Sequence, residues 1–205
     1  MERSEAYSKL KELEGEDLFS LAADYGVTVW NADKNRQNKG WFGHVIEHYL
    51  GLPRNSAQSP NFGSWELKTT SLKYLKNGTL VPKETVAITM IDPYEVGLKP
   101  FEESHLLAKL RKMILVSRIV NGAFQDTGLV NTVSMFDLVE EKVLLQIKED
   151  YENVRTVINK DGLNSLSGTM GIYVQPRTKG PGHGSTSRAF YARKSLVKII
   201  LKAAQ

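Results

Sequence analysis

A glutamate and a lysine two positions apart, Glu66 and Lys68, carry the sharpest chemical signal in this chain of 205 residues. Residues two apart in an extended strand project from the same face, so these two side chains lie together while Trp65 and Leu67 turn toward the core. A carboxylate beside an ammonium group can hold a hard divalent cation, orient a water molecule and stabilise a developing phosphate charge. On an exposed strand the same spacing is also typical of a solvated ion pair.

The residues just before this pair extend the pattern. Positions 60–68 read Pro-Asn-Phe-Gly-Ser-Trp-Glu-Leu-Lys. This run approaches the signature of metal-dependent nucleases, which is an acidic residue, a short spacer and Glu-x-Lys, but Asn61 stands at the acidic position. An amide oxygen is a poorer ligand for Mg²⁺ than a carboxylate, so we expect Asn61 to impair metal binding and turnover. An engineered change and a natural loss both account for it.

The composition restricts the class of protein. The chain is 41% hydrophobic and 24% charged, which is enough to form the core of one large domain. It has no cysteine, which excludes disulfides, thiolate metal sites and a cysteine nucleophile. A formal net charge of +4 is compatible with a polyanionic partner. The charged N-terminus and the lack of a long apolar run predict a cytoplasmic protein without a membrane segment.

Hydrophobic periodicity predicts alternating helices and strands, and therefore an α/β fold with a mixed sheet. The predicted helices are 4–13, 17–25, 38–50, 102–110, 140–158 and 195–203. The predicted strands are 64–72, 84–91, 113–120, 132–138, 171–175 and 188–192. The Asn77-Gly78 pair is a strong tight-turn signal and predicts that strands 64–72 and 84–91 form a hairpin.

Several separate blocks, taken in order, resemble the MutH mismatch-repair endonucleases and the related restriction endonucleases that cut at GATC. These blocks are 40–51, 60–68, 83–86, 103–110, 171–180 and 188–194. The resemblance implies a restriction-endonuclease-like α/β core, in which helices flank a mixed β-sheet and two lobes surround a DNA cleft. We expect a single domain, 1–205, with an N-terminal helical part (1–37), a catalytic core (38–120) and a C-terminal DNA-recognition part (121–205).

The resemblance assigns the catalytic positions. Carried over by position, they are Glu47, Asn61, Glu66, Lys68 and Lys109. It implies that Mg²⁺ is held by Glu66, by the side chain at position 61 and by the backbone carbonyl of Leu67. Simpler alternatives remain for two of these residues, because Glu47 can be a solvated helix residue and Lys109 can be a phosphate contact or part of a polar helix face.

The resemblance also places DNA recognition in the C-terminal part. The matching positions, together with one histidine in a glycine-rich loop, are Arg177, Lys179, His183, Arg188 and Tyr191. Arg177 and Lys179 match a loop near the major groove, where such side chains can donate hydrogen bonds to guanine. Tyr191 matches a position implied in sensing adenine methylation. Without the resemblance, His183 would be a surface or hydrogen-bonded residue, and a solvated face or sequence-neutral phosphate contacts would account for the basic series Arg188, Arg193, Lys194 and Lys198.

The sequence therefore predicts a Mg²⁺-dependent, sequence-specific endonuclease of double-stranded DNA, a type II restriction enzyme whose functional pair is a DNA methyltransferase. The short spacing between Asn61 and Glu66 and the compact loop 179–187 favour this prediction, and they leave the GATC target open. The first alternative is a methylation-sensing nicking enzyme of mismatch repair with a MutL-like partner. The second is a non-catalytic DNA-binding module of the same fold.

Overall fold

The computed structural model describes residues 1–33, 35–51, 60, 63–121, 125–180 and 186–202. The helices are α1 (Arg3–Lys11), α2 (Phe19–Asp24), α3 (Trp41–Tyr49), α4 (Pro93–Leu98), α5 (His105–Arg111), α6 (Glu141–Asp161) and α7 (Lys194–Lys202). The strands are β1 (Trp30–Asn31), β2 (Arg36–Gln37), β3 (Glu66–Tyr74), β4 (Leu80–Pro82), β5 (Val86–Ile91), β6 (Lys112–Asn121), β7 (Gln125–Asp137), β8 (Val174–Thr178) and β9 (Arg188–Ala192). Among these helices, none is long and apolar enough to cross a membrane.

A four-stranded mixed sheet forms the centre of the molecule, which confirms the predicted α/β class. Its strand order is β4-β3-β6-β7, in which β3 and β6 are parallel and the two outer pairs are antiparallel. A second sheet, entirely antiparallel, has the order β5-β9-β8. Strands β1 and β2 form a small separate hairpin.

The N-terminal helices cover one face of the mixed sheet. Trp41 and Ile46 of α3 are fully buried there with Leu10 of α1, against Leu67 of β3 and Ile114 of β6. The amphipathic spacing that predicts α3 therefore corresponds to its packing face. This side of the sheet forms one hydrophobic cluster.

The opposite face of the mixed sheet packs against the C-terminal half of the chain. Met113 and Leu115 of β6 join Leu110 of α5, Ile147 of α6 and Phe190 of β9 in a second hydrophobic cluster. Residues on neighbouring strands that pair in register point to the same face. The second sheet therefore packs on the face of the mixed sheet from which Met113 and Leu115 project.

The predicted hairpin between strands 64–72 and 84–91 is wrong. The Asn77-Gly78 turn joins β3 to the short strand β4, in which Pro82 lies opposite Leu72. Pro82 has no backbone N–H to continue a ladder, which suits an edge strand, and the chain leaves this sheet after it. Strand β5 pairs with β9 instead, because its apolar side chains belong to the second cluster. A tight-turn signal therefore predicts only the pairing of the two strands that the turn joins directly.

Gly128 in β7 lies where the sheet meets α2 and α3, and it leaves no room for a side chain. A Cβ atom there would lie 2.5 Å from Asp17 Oδ1 and 3.0 Å from both Leu18 N and Trp41 Cη2. We expect Gly128→Ala to lower the free energy of unfolding by about 2 kcal/mol, because overpacking a tight contact forces backbone shifts. Urea denaturation measures this change.

Gly43→Ala on α3 is the matched control. The nearest atom to a Cβ at Gly43 is Thr69 Oγ1 at 3.4 Å, an ordinary contact. The higher helix propensity of alanine adds up to about 1 kcal/mol of stability. Equal losses of stability in the two variants would contradict the close packing described for Gly128.

Candidate active site

The carboxylate of Glu66 lies in the protein interior and meets two ammonium groups. Glu66 is 0% exposed, and Lys68 Nζ lies 2.5 Å from its Oε1. Lys109 Nζ donates a hydrogen bond of 3.3 Å to the same oxygen. The structure therefore brings together three of the five positions that the sequence assigns to catalysis.

The parallel pairing of β3 and β6 creates this arrangement. Glu66 lies opposite Met113, and Lys68 lies opposite Leu115. Both charged side chains therefore project from the face that packs on α5, as alternation along a strand predicts. Helix α5 ends immediately before β6 begins, so Lys109 in its last turn lies level with the first residues of the parallel pair.

A capping residue fixes the start of the short helix that carries Lys109. Ser104 Oγ accepts a hydrogen bond of 3.1 Å from Leu107 N and itself donates to Phe101 O at 2.7 Å. A serine at this position satisfies a backbone N–H that would otherwise have no partner in the helix. Leu106, Leu107 and Leu110 then bury the apolar side of α5 and direct Lys109 toward Glu66.

The site holds an excess of positive charge. The pKa of Lys109 is lowered, first by burial and then by Lys68 and Lys179, while Glu66 acts in the opposite direction. The pKa of Lys179 is lowered by partial loss of solvation and by repulsion from Lys68. Lys179, at the end of β8, thus belongs to the electrostatic surroundings of Glu66. Among the described residues, one carboxylate lies with three lysines, and this environment favours an anion such as a phosphate.

The donor set suits Mg²⁺ if waters and a substrate phosphate complete the shell. Mg²⁺ takes octahedral oxygen coordination and is often bound through one or two carboxylates plus phosphate. Glu66 supplies one buried carboxylate, and the adjacent Leu67 carbonyl is a further oxygen on the same strand. Within the described ranges, no group of three or more His, Cys, Asp or Glu residues could hold a metal ion. Asn61 lies outside the described residues.

Glu47 lies on α3, which packs on the other face of the mixed sheet. Two contacts give the direction of α3 along β3. The guanidinium carbon of Arg118 lies 5.2 Å from the ring centroid of Trp41, at the start of α3. One half-turn later, a Cβ at Gly43 would lie 3.4 Å from Thr69 Oγ1. Arg118 pairs with Ser71, so Trp41 lies near the level of Ser71, and Gly43 near that of Thr69. Helix α3 therefore runs along β3 toward the first residues of that strand.

One further helical turn advances α3 by about 6 Å, or two strand residues, so we expect Glu47 to lie level with Leu67. Strand β4 pairs with β3 only from Leu72 onward. Glu47 is half-buried and would reach the site around this edge of β3 rather than across the sheet.

Two of the predicted DNA-recognition residues contact each other. The guanidinium carbon of Arg177 lies 5.7 Å from the ring centroid of Tyr191, and Arg177 Nη1 donates a 3.0 Å hydrogen bond to Thr85 Oγ1. Burial raises the pKa of Tyr191, and the nearby Arg177 acts against this shift. Thr85 lies in block 83–86 of the resemblance, but the sequence assigned it no role, because a threonine just before a strand is common. The contacts hold an exposed Arg177 in a defined orientation.

Two further recognition candidates, Lys179 and Arg188, lie at the end of the second sheet where β8 ends and β9 begins. Arg188 begins β9 opposite Thr178, and its Nη1 donates to Thr186 O at 3.2 Å. The backbone N–H of Lys179 donates to Ser187 O at 2.9 Å and closes the base of the connecting loop. His183 lies outside the described residues.

Comparisons with known proteins identify a family and several relatives. The model of the family described as DNA mismatch repair enzyme MutH matches residues 50–150. The type II restriction enzyme Sau3AI of Staphylococcus aureus is 25% identical over 190 residues, which cover 91% of this chain and 37% of Sau3AI. The MutH protein of Shewanella woodyi is 26% identical over 219 residues, covering 98% and 91%. That of Pasteurella multocida is 27% identical over 186 residues, covering 82% and 81%.

The relatives differ in length relative to this chain. The chain spans little more than a third of Sau3AI but nine-tenths of the Shewanella woodyi MutH. The family-model match includes Glu66, Lys68 and Lys109. The residues at the centre of the buried charge cluster thus lie inside the matched segment.

Removing the carboxylate should destabilise the protein. In Glu66→Gln the buried ammonium of Lys109 loses its compensating charge, and breaking a buried ion pair on one side costs about 3 kcal/mol. We expect a loss of that order in the free energy of unfolding, measured by guanidinium denaturation at neutral pH.

The double variant Glu66→Gln/Lys109→Met is the control, because it removes both charges and keeps similar volumes. We expect it to recover most of the stability that the single variant loses. If the single variant were as stable as the original chain, the buried pair would not be a significant stabilising interaction.

Proposed function

Because the chain belongs to the family of MutH and related restriction endonucleases, we propose that it is a Mg²⁺-dependent, sequence-specific endonuclease of double-stranded DNA. We assign it the role of a type II restriction enzyme, whose functional pair is a DNA methyltransferase. The observation that carries the proposal is the buried Glu66 carboxylate, with Lys68 and Lys109 directed at one of its oxygens.

The chemistry is hydrolysis of a phosphodiester bond. Lys68, which is more exposed than Lys109, orients the attacking water by a hydrogen bond from its ammonium group, and the proton that the water loses passes to solvent. Both lysines stabilise the negative charge that builds on the phosphate oxygens as water attacks and one phosphorus–oxygen bond breaks. The low dielectric around Glu66 strengthens these interactions.

Glu66, the Leu67 carbonyl and the side chain at position 61 would hold Mg²⁺. When bound, the ion supplies Lewis-acid stabilisation of the phosphate and lowers the pKa of a water molecule. Glu66 shares one oxygen with both lysines, and they also orient its carboxylate. Glu47 is proposed to approach the same site from α3 and to assist in metal binding.

DNA recognition falls to the end of the second sheet. Arg177 is proposed to donate hydrogen bonds to guanine, and its contacts with Thr85 and Tyr191 orient its guanidinium plane in advance. Tyr191 is proposed to sense adenine methylation. Lys179 lies near Lys68 and links the recognition end of β8 to the cleavage site. Arg188 and His183 are proposed as further DNA contacts.

One observation favours a second candidate function. The chain spans nearly the whole of the Shewanella woodyi MutH but little more than a third of Sau3AI. A nicking endonuclease that reads hemimethylated DNA and answers to a MutL-like partner is therefore the alternative. Plasmid products separate the two functions, since linear DNA indicates restriction and nicked circles indicate repair.

Asn61→Asp should activate the enzyme. A carboxylate at this position adds a metal ligand that the amide provides poorly, so we expect an increase in the cleavage rate of at least about tenfold. Cleavage of unmethylated plasmid DNA with Mg²⁺ measures the rate. If neither protein cuts and both bind DNA, the chain is a non-catalytic DNA-binding module.

Asn61→Asp/Lys68→Ala is the control for this experiment. Loss of Lys68 should abolish cleavage, because no other group assigned to the water lies on its strand face, and leave DNA binding largely intact. Cleavage at the rate of Asn61→Asp alone would remove Lys68 from the mechanism.

Arg177→Ala should weaken specific binding by about 1–3 kcal/mol if Arg177 reads a base. Arg177→Lys is the matched control, because lysine keeps the charge but lacks the planar fork of donors. We expect both variants to lose discrimination between the preferred duplex and an unrelated one. Equal weakening on all sequences by alanine, with full recovery by lysine, would make Arg177 a phosphate contact instead.

A further inference from the structure

Asp150, in the middle of α6, holds a buried carboxylate far from the cluster around Glu66 in the sequence. The residue is 2% exposed. Its oxygens accept hydrogen bonds of 2.8, 2.7 and 2.8 Å from the backbone N–H groups of Ile172, Tyr173 and Val174. Successive N–H groups that converge on one anion form a nest, which usually binds a phosphate or a similar group. Here the anion is a side chain of the same protein.

The turn that forms this nest begins at a position that only glycine fits. Gly171 has φ of +75°, and a Cβ atom there would lie 1.8 Å from Val174 O and 3.1 Å from Asp150 Cγ. Any side chain at this position would push the carboxylate away from the N–H groups. The backbone shape and the buried acid therefore depend on each other.

Helix α7 and the residue before it hold the same turn from the other side. Ser195 Oγ donates to Ile172 O at 3.1 Å, and Arg193 N donates to Tyr173 O at 2.8 Å. The Arg193 side chain donates to Met170 O at 2.9 Å. Donors from α7 thus bind the carbonyl groups while Asp150 binds the N–H groups. The turn is attached to both helices.

The strand that carries Arg177 begins at this turn. Val174, the third residue bound by Asp150, is the first residue of β8. Among the described strands, β8 lies at the edge of its sheet and pairs with β9 alone, and Arg177 lies opposite Ala189. A slip of one residue would move Arg177 to the other face of the sheet. The hydrogen bond from the Val174 N–H to Asp150 therefore helps to fix the register of β8, which one neighbouring strand alone fixes less firmly.

We propose that Asp150 is a positioning residue for DNA recognition, which sets the start of β8 and through it the placement of Arg177 and Lys179. Asp150 is too buried to touch DNA and acts only through the strand. The inference rests on the proposed function, because it requires that β8 reads a DNA sequence. Asp150 therefore affects which sequences are bound more than how tightly DNA is bound in general.

Asp150→Asn tests the inference, with Glu149→Gln as the matched control. The asparagine amide directs N–H groups at backbone donors, so the nest loses acceptors. Glu149 undergoes the same change of charge one residue away, outside the nest. Each protein first selects an enriched motif from a randomised duplex library. Its affinity for a duplex with that motif is then divided by its affinity for an unrelated duplex, which gives an affinity ratio. We expect Asp150→Asn to lower this affinity ratio by about tenfold or more, because small misplacements of a recognition group have large effects.

Two further readouts separate positioning from general loss of structure. Binding to the unrelated duplex and its salt dependence should not change in Asp150→Asn, because phosphate contacts do not depend on strand register. Hydrogen exchange at the amides of residues 172–174 should accelerate at least about tenfold in Asp150→Asn and not in Glu149→Gln. If Asp150→Asn fails to fold, Ser195→Ala loosens the turn from the other side and should lower the affinity ratio by a smaller factor.

The outcomes are distinct. An affinity ratio within twofold of the original protein, in a folded Asp150→Asn variant, would overturn the inference while leaving the proposed function intact. Unchanged exchange at residues 172–174 would also overturn it. If the original protein binds no DNA, the proposed function and the recognition role both fail, whereas the exchange measurement still decides whether Asp150 fixes the turn.

Discussion

The contact between the Glu66 carboxylate and the ammonium groups of Lys68 and Lys109 is the constraint on which the molecule depends. Charges at this depth are stable only when their partners are held in position, and here the partners come from different elements. The parallel pairing of β3 and β6, the cap at Ser104 and the apolar packing of α5 all maintain that geometry. The fold around the site therefore holds this small group of charges in position.

The second sheet is coupled to this group although it is a separate set of strands. Its end carries Lys179 near Lys68, while Arg177 and Tyr191 lie together on the same sheet. The apolar cluster that includes Leu110, Met113 and Phe190 attaches the two sheets to each other. A shift of β8 would thus change the electrostatic surroundings of the Glu66 carboxylate.

Local patterns in the sequence predicted local features well. Alternation placed Glu66 and Lys68 on one face, and the bounds of β9 match the predicted strand 188–192. The pairing of β5 was not predictable from the Asn77-Gly78 turn, because sheet membership depends on distant apolar partners. Asp150 had no signal either, since one acid on an amphipathic helix resembles a solvated residue. Lys109 was found through family resemblance alone, because 43 residues separate it from Glu66.

The parallel pairing of β3 with β6 also has a consequence for how the protein matures. Parallel strands require a crossover connection, and here it contains β4, β5, α4 and α5. Contacts between residues so far apart in sequence form late, because the entropy of closing the intervening loop must be overcome first. We therefore expect the charge cluster to be absent from a nascent or partly folded chain. For the endonuclease that we propose, the cleavage centre would be completed only together with the native sheet.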